Sequence, residues 1–336
     1  MRQLFCAILL LISSAVMLSA NEEKDLATVR VGIIATDSSD NLRSQWSEFL
    51  DEFAKQTGYA VEPFFAPDYA GIVEAMRFDQ IEIAYLGNAA AILAVDRAGG
   101  EVFVQRVNPG YNIGYHTLMI VHRDSDLHTL DDVIENAGRL NAALGDANST
   151  SGYLVPDFYI FQRRGIVPQQ AFRNVTHSSH DAMLLAVANK QADFATISSF
   201  QPARTMARDP EAVSSLRTVW RSPLIPSSPM VWRTNLPEVT KNKIRGFFIG
   251  FGVVGDADKR SREQAILSRT SGGMEVWRAS DNHQLIPIRQ LELAKQRTQI
   301  QQRDGLSAAD RDRQLAAIDA QIKELDTLVS LLEKGL

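Results

Sequence analysis

The sequence predicts an α/β protein of two lobes, each built on a mostly parallel sheet flanked by helices. Near the N-terminus, short β-rich runs alternate with amphipathic helical patterns, which is typical of three-layer α/β sheets. A second series of the same kind begins near residue 140. The chain of 336 residues is long enough for two lobes of ordinary domain size. Two lobes imply a cleft between them.

The predicted first lobe opens with a strand–helix–strand–helix–strand series. Its strands cover residues 29–35, 59–65 and 81–86, and its helices run through Trp46 and Phe53 to Gly58 and from Asp68 through Met76. Strands of this kind end, and their helices begin, at one edge of the sheet, where ligands of open α/β sheets usually bind. The cleft is therefore expected at that edge.

The predicted second lobe contains a cluster of hydroxyl side chains, the Ser/Thr loop, between a small apolar strand and a helix. This loop reads Asp146-Ala147-Asn148-Ser149-Thr150-Ser151-Gly152. The free amides and positive dipole end of a helix N-terminus favour an anion, and neighbouring hydroxyls add donors without adding charge. From this stretch alone, the alternative to an anion site is that one hydroxyl caps the helix and the others are exposed to solvent.

Two further strands are predicted to cross between the lobes, and the chain ends in a helical pattern. The crossovers lie at residues 114–121 and 223–233, so lobe one is assigned to residues 21–121 and 229–290 and lobe two to residues 122–228. Residues 291–336 form a tail, in which Leu315 to Leu332 follow a 3-4-3-4-3 apolar spacing behind a capping Ser307. This apolar seam requires packing on the preceding helix or on a second subunit, as in a homodimer.

The N-terminus has the pattern of a secretory signal peptide. Arg2 precedes an apolar run that contains Cys6, and small residues end at Ala20 before a polar stretch. We expect cleavage near Ala20, which leaves an exported, soluble chain without cysteine and therefore without disulfides. The formal charge of −5 becomes −6 without Arg2, with both signs scattered, so no basic stripe for nucleic acid is present.

Several stretches resemble the periplasmic phosphonate-binding proteins of ABC importers, within the phosphate, phosphite and phosphonate substrate-binding family. The matching blocks occur in one order across nearly the whole mature chain: residues 64–72, 114–115, 146–152, 186–191, 222–226 and 231–233. The resemblance implies a two-lobed type II periplasmic-binding-protein fold, a periplasmic location, and an inner-membrane ABC permease as partner. Several ordered blocks are more specific than any single motif.

The resemblance also implies the binding residues. In that family a tyrosine, the Ser-Thr-Ser loop and a histidine hold the phosphonate oxygens, and a second tyrosine lies in the cleft. The matching residues here are Tyr69, Ser149, Thr150, Ser151, His180 and Tyr115. Phenol, hydroxyl, amide and imidazole donors can bind an oxyanion without an arginine.

One departure from the family concerns the ligand. Members that bind aminoalkylphosphonates neutralise the ammonium with two acidic residues, which by alignment fall at Phe200 and Ser228 here. Because burying an ammonium without a counter-charge is costly, we expect a ligand without a cationic amine, such as a short alkylphosphonate or phosphite. Asp181 is the nearest acidic residue that could replace the missing partners.

Two other functions remain open at this point. A sensory receptor of the same fold would present its bound state to a membrane signalling protein. A hydrolase of phosphorus esters would draw on the pair His177 and His180, but no carboxylate or cysteine cluster completes a metal site, and no Gly-x-Ser-x-Gly or phosphate-loop lysine motif is present. We therefore expect a binding protein without cofactor or metal rather than an enzyme.

Overall fold

The computed structural model describes residues 24–107, 114–271, 273 and 276–334. The expected signal peptide, with Cys6 and Ala20, lies outside this part of the chain. The first leg of the chain alternates strands and helices as predicted: β1 (Thr28–Ile33), α1 (Ser39–Thr57), β2 (Ala60–Phe65), α2 (Tyr69–Arg77), β3 (Ile83–Tyr85), α3 (Asn88–Arg97) and β4 (Gly100–Val107). Sequence reasoning did not assign α3 and β4.

The middle leg repeats this alternation with shorter elements. It contains a helix over residues 150–164, called here the loop helix, and the following elements: β5 (Gly114–Tyr115), β6 (Thr117–His122), α4 (Leu130–Glu135), β7 (Asn141–Gly145), α5 (Pro168–Ala171), β8 (Asn174–Ser178), α6 (His180–Ala188), β9 (Phe194–Ser198), α7 (Gln201–Met206), α8 (Pro210–Ser214), β10 (Leu216–Arg221) and β11 (Ile225–Pro226).

The last leg returns to the first sheet and ends in two long helices. Its elements are β12 (Pro229–Arg233), α9 (Glu238–Gly250), α10 (Ala257–Ser271), β13 (Val276–Ala279), α11 (Ile286–Gln302) and α12 (Ala308–Glu333). None of the helices in the described ranges is long and apolar enough to cross a membrane.

Two mixed sheets form the centres of the two lobes. The first has the order β13-β4-β12-β3-β1-β2 and the second the order β10-β6-β9-β7-β8. In the first sheet β2, β1, β3 and β4 run one way, while β12 and β13 run the other way. In the second sheet only β6 is reversed. Both sheets are therefore mostly parallel in strand direction, and two of the reversed strands, β6 and β12, lie where the chain crosses between the lobes.

The crossover over residues 114–121 differs from the prediction. Only Gly114 and Tyr115 form a link strand, which pairs with β11 in a separate two-stranded sheet. The rest of this run is β6, which lies inside the second sheet between β9 and β10. The boundary predicted after residue 121 thus falls near the end of β6, and the boundary predicted before Pro229 falls at the start of β12.

The core of lobe one shows why α1 forms where it does. Its apolar residues recur on one face, and Trp46, Phe49 and Phe53 are almost completely buried. Phe49 and Phe53 pack on Phe248 of α9 with ring centroids 5.6 Å apart in both cases. The helix ends at Gly58, which adopts the left-handed conformation with φ 77°. This packing fixes the N-terminus of α1 beside the cleft.

The tail is a helical hairpin that starts earlier than predicted, because α11 begins at Ile286 rather than at residue 291. Ser307 caps α12 as predicted, since its hydroxyl accepts a hydrogen bond from the Asp310 N–H. The two helices pack on each other, and an Arg297–Asp319 ion pair of 2.7 Å joins them. Ile318 in the middle of the seam is buried. The middle of the seam thus packs on the preceding helix, whereas Leu332 at its C-terminal end is 42% exposed.

Candidate functional site

The Ser/Thr loop connects the end of β7 to the loop helix. Ser149 caps this helix, because its hydroxyl accepts a hydrogen bond of 3.0 Å from the Gly152 N–H. The helix is wound more widely than an α-helix in its first turn, where the N–H of Val155 donates to the carbonyl oxygen of Thr150. Such i to i+5 turns occur frequently at functional sites. The wide turn leaves three hydroxyl residues at one helix start.

Two glycines allow this loop to lie directly on the end of the strand. A Cβ on Gly145 would lie 2.6 Å from the Cα of Gly152, which is closer than side-chain atoms approach. Neighbouring strands also hold the loop, since Thr117 Oγ1 donates to the carbonyl oxygen of Ser151 and Thr196 Oγ1 to that of Gly152. The positions of the three hydroxyls are therefore fixed by backbone contacts.

A small cavity of about 30 Å³ lies between the lobes, against the Ser/Thr loop. Every residue predicted for the site lines it. The lining residues are Ile34, Thr36, Tyr69, Tyr85, Gly87, Tyr115, Ser149, Thr150, Ser151, His180, Ser198, Phe200, Arg204 and Ser228. Of these, Thr36, Tyr85, Ser198 and Arg204 are polar residues that sequence reasoning missed.

Both tyrosines of the prediction reach the cavity from different elements. Tyr69 is the first residue of α2, whose N-cap Asp68 accepts from the Gly71 N–H, and Tyr69 is only 4% exposed. Tyr115 lies on the link strand β5. Burial raises the pKa of Tyr69 and raises that of Tyr115 to about 12. Both phenols therefore stay protonated and can donate to an oxyanion.

His180 is the first residue of α6 and is buried against the Ser/Thr loop. Its Nδ1 accepts a hydrogen bond of 3.3 Å from the Ser198 N–H, so the ring proton lies on Nε2, which is 3.5 Å from the hydroxyl of Ser149. Burial, with a contribution from the charge of Arg204, lowers the pKa of His180 to about 3. The imidazole is thus a neutral donor near neutral pH.

The two positions that depart from the family both lie at the cavity. Phe200 precedes α7, and its ring stacks on that of Tyr115 with centroids 5.5 Å apart and planes 25° from parallel. Ser228 lies between β11 and β12, and its hydroxyl is near enough to Tyr115 to act on the phenol pKa. An aromatic ring and a hydroxyl thus occupy the part of the cavity around Tyr115.

Arg204 is the missed residue with the largest consequence for the site. It lies on α7, and its Nη1 donates to Thr36 Oγ1 at 3.2 Å. Thr36 follows β1 in lobe one, 168 positions away along the chain, so no local pattern indicates this contact. One signal was present, because residues four apart on a helix share a face, and Arg204 follows Phe200 by four positions.

Several hydrogen bonds cross from one lobe to the other around the cavity. The Ala89 N–H at the start of α3 donates to Thr150 Oγ1 at 2.9 Å. Arg208 of lobe two pairs with Asp37 of lobe one at 2.8 Å and also with Asp181 of its own lobe. Burial and, to a lesser extent, the charge of Asp37 raise the pKa of the Asp181 carboxyl, whereas the charge of Arg208 lowers it. Asp181 thus already forms an ion pair with Arg208 beside the cavity wall.

A wider crevice of about 710 Å³ adjoins the site on its outer side. His177 lines this crevice, and its Nδ1 is 2.8 Å from the carbonyl oxygen of Gly145. His180, in contrast, lines the small cavity. The two histidines that suggested a metal pair therefore lie in different environments.

The chain is similar in sequence to known proteins. The profile of the family described as "ABC transporter, phosphonate, periplasmic substrate-binding protein" matches residues 31–285. The chain is 40% identical over 319 residues to the phosphonates-binding periplasmic protein of Escherichia coli, which covers 95% of this chain and 92% of the relative.

Solved structures show the same fold. A binding protein component of an ABC phosphonate transporter from Pseudomonas aeruginosa is 44% identical, with a TM-score of 0.85 over 92% of this chain and 100% of that one. A Prochlorococcus marinus protein in complex with methylphosphonate has a TM-score of 0.69 at 17% identity, over 80% of this chain and 98% of that one. The chain belongs to the family of phosphonate-binding periplasmic substrate-binding proteins of ABC transporters.

Proposed function

We propose that this protein captures a short alkylphosphonate or phosphite, without a cationic amine, between its lobes and delivers it to an inner-membrane ABC permease. One observation carries the choice of ligand: Phe200 and Ser228, at the positions where acidic residues are expected in amine-binding relatives, both line the cavity between the lobes. An ammonium there would lose its hydration without gaining a carboxylate partner.

The proposed roles within the site follow from the position of each donor. Tyr69, His180 and the three hydroxyls of residues 149–151 would hold the oxyanion, because they converge at the start of the loop helix. Tyr115, Phe200 and Ser228 would face the substituent on phosphorus. The stacked ring of Phe200 offers an apolar surface to a methyl or ethyl group. The small volume favours a short substituent.

We propose that the protein binds its ligand without chemical turnover. Ser149 and His180 resemble a nucleophile and its base, but Nδ1 of His180 accepts a hydrogen bond from the Ser198 N–H. The proton is then on Nε2, so the ring cannot take the proton of Ser149 through that nitrogen. The pair instead provides two donors. A turnover assay with phosphonate and phosphate esters and added divalent metals tests this point.

Residues 1–20 would direct export to the periplasm, with cleavage near Ala20. The sensory alternative finds no support among the relatives, all of whose quoted descriptions concern binding or transport. A homodimer through the tail likewise has no support, because α12 packs on α11 of its own chain. Sedimentation of the mature protein measures its oligomeric state.

Calorimetric titration of the mature protein tests the choice of ligand. We expect methylphosphonate or ethylphosphonate to bind more tightly than 2-aminoethylphosphonate, with phosphite, phosphate and sulfate as comparison ligands. The reverse ranking, by tenfold or more (~1.4 kcal/mol), would show that an acidic group serves the amine. Asp181→Asn would then identify whether Asp181 is that group. Absence of binding by every phosphonate would contradict the proposed function itself.

A further inference from the structure

The cavity wall contains one positive charge that the family pattern did not suggest. Among the lining residues that the structure describes, Arg204 is the one with a full charge near neutral pH, because both cleft tyrosines stay protonated and His180 stays neutral. The hydroxyls of the Ser/Thr loop carry no charge. Every other lining group is therefore a neutral donor or an apolar surface.

The charge lies in the same cavity wall as two of the proposed oxyanion donors. Arg204, Tyr69 and His180 all line this cavity. The guanidinium of Arg204 also donates to Thr36 Oγ1 of lobe one at 3.2 Å. Burial is the larger cause of the altered pKa of both His180 and Tyr69, and the positive charge of Arg204 acts to lower each pKa. Arg204 is thus a charged residue of the cavity wall that bonds across the cleft to lobe one.

Two ligands of the same shape can differ in the charge that they present to the site. A doubly ionised phosphonate and a sulfonate each present a tetrahedral group with three acceptor oxygens and no proton. Both satisfy the same hydroxyl, phenol and imidazole donors. They differ in charge, and the Coulomb energy of a nearby cation is twice as large for the dianion as for the monoanion. A cation in the cavity wall therefore adds a preference for the dianion to the preference that the donor dipoles supply.

Given the proposed function, on which this inference rests, we propose that Arg204 is a ligand-binding residue that makes the site select a doubly charged phosphonate over its singly charged sulfonate isostere. Its position in the wall of the same cavity supplies a full positive charge that the neutral donors do not provide. The ligand class is thereby narrowed to dianionic phosphorus oxyanions.

The test compares methylphosphonate with methanesulfonate, at a mildly alkaline pH where the phosphonate is largely doubly ionised. Affinities are read by calorimetry, and weak ones by thermal-shift titration. In Arg204→Gln we expect methylphosphonate to bind about thirtyfold more weakly (~2 kcal/mol). Methanesulfonate should lose only about the square root of this factor, roughly fivefold, because its charge is half as large.

Two control variants separate the effect of the Arg204 charge on ligand affinity from effects on lobe closure and on folding. Thr36→Val removes the acceptor of Arg204 but keeps the guanidinium, so it should weaken both ligands by a similar factor. Arg221→Gln, on the exposed surface of β10, should change neither. Equal losses for the two ligands in Arg204→Gln, or a loss of methylphosphonate affinity below about threefold, would overturn the charge role. Either result leaves phosphonate binding by the wild-type protein, and thus the proposed function, intact.

Discussion

The donors around the cavity are held by hydrogen bonds to backbone N–H groups. The hydroxyl of Ser149 accepts from the Gly152 N–H, and that of Thr150 accepts from the Ala89 N–H of the other lobe. Nδ1 of His180 likewise accepts a backbone N–H. Because the backbone supplies protons to these acceptor sites, the O–H groups and the ring N–H can turn their own protons towards a ligand. This arrangement suits an acceptor-only ligand.

Replacing Thr150 with Val should weaken ligand binding by on the order of 1–3 kcal/mol, because it removes one donor to the oxyanion and leaves the Ala89 N–H without its partner in the closed state. Calorimetry with methylphosphonate measures the loss. Thr218→Val, at an exposed position of β10, is the matched control and should bind as the wild type does. Unchanged affinity in Thr150→Val would remove the loop from the site.

His180 should make stability depend on pH. Burial, with Arg204 adding to it, lowers its pKa from 6.5 in the unfolded chain to about 3 in the folded protein, so between these values the unfolded chain binds a proton that the folded protein does not. This contribution is fully present above pH 6.5 and is lost as the pH falls towards 3.

Urea unfolding at several pH values measures this effect. The free energy of unfolding should fall with decreasing pH by up to about 1.4 kcal/mol per unit more steeply in the wild type than in His180→Gln. Parallel curves for the two proteins would mean that His180 is protonated in the folded state, contrary to the neutral donor described above.

At the scale of elements, long periodic segments could be predicted and contacts between distant segments could not. The spacing of Trp46, Phe49 and Phe53 was sufficient for α1, since it determines the buried face. The apolar run over residues 114–121 gave no sign that it changes sheets at His116, because pairing with β9 or β11 is decided by partners about 80 to 110 positions away.

The same limit applies to the site. Each residue taken from the family resemblance lies at the cavity, including the loosely matched Phe200. Arg204 was missed because its role depends on the approach of Thr36 in the other lobe. Such a contact forms only when the two lobes come together, and neither segment contains a pattern that predicts it.

The tail seam should stabilise the hairpin. Ile322 lies on the seam face of α12 and is half-buried, so Ile322→Asp would place a carboxylate at a surface that packs on α11. We expect a lower melting temperature for this variant and an unchanged sedimentation coefficient. Ala320→Asp, on the exposed face of the same helix, should melt as the wild type does. Conversion of a wild-type dimer to a monomer by Ile322→Asp would instead show a seam shared between subunits.

For the whole molecule, the short pair of link strands marks the place where the lobes would move. We propose lobe boundaries near His116 and Pro223, where the chain leaves the second sheet for the link strands β5 and β11. The bonds from Ala89 to Thr150 and from Arg208 to Asp37 also join the two lobes across the cleft. Opening at the link would break these bonds while leaving both sheets intact.

Small-angle scattering should detect this movement. We expect a smaller radius of gyration with methylphosphonate than without it, because the ligand joins donors from both lobes. Sulfate at the same ionic strength provides the control and should leave the curve close to that of the free protein. Identical curves with and without a confirmed ligand would mean that the lobes do not open in solution.

The burial of the cavity also has a kinetic consequence. Tyr69, Ser149 and Thr150 are each less than 5% exposed, so we expect a bound anion behind them to reach solvent mainly when the lobes separate. Dissociation must then wait for opening, and the rate of opening sets an upper limit on release that is common to every ligand. The interlobe contacts would thus partly determine the residence time of the ligand. A permease that separates the lobes would shorten this time without contacting the ligand.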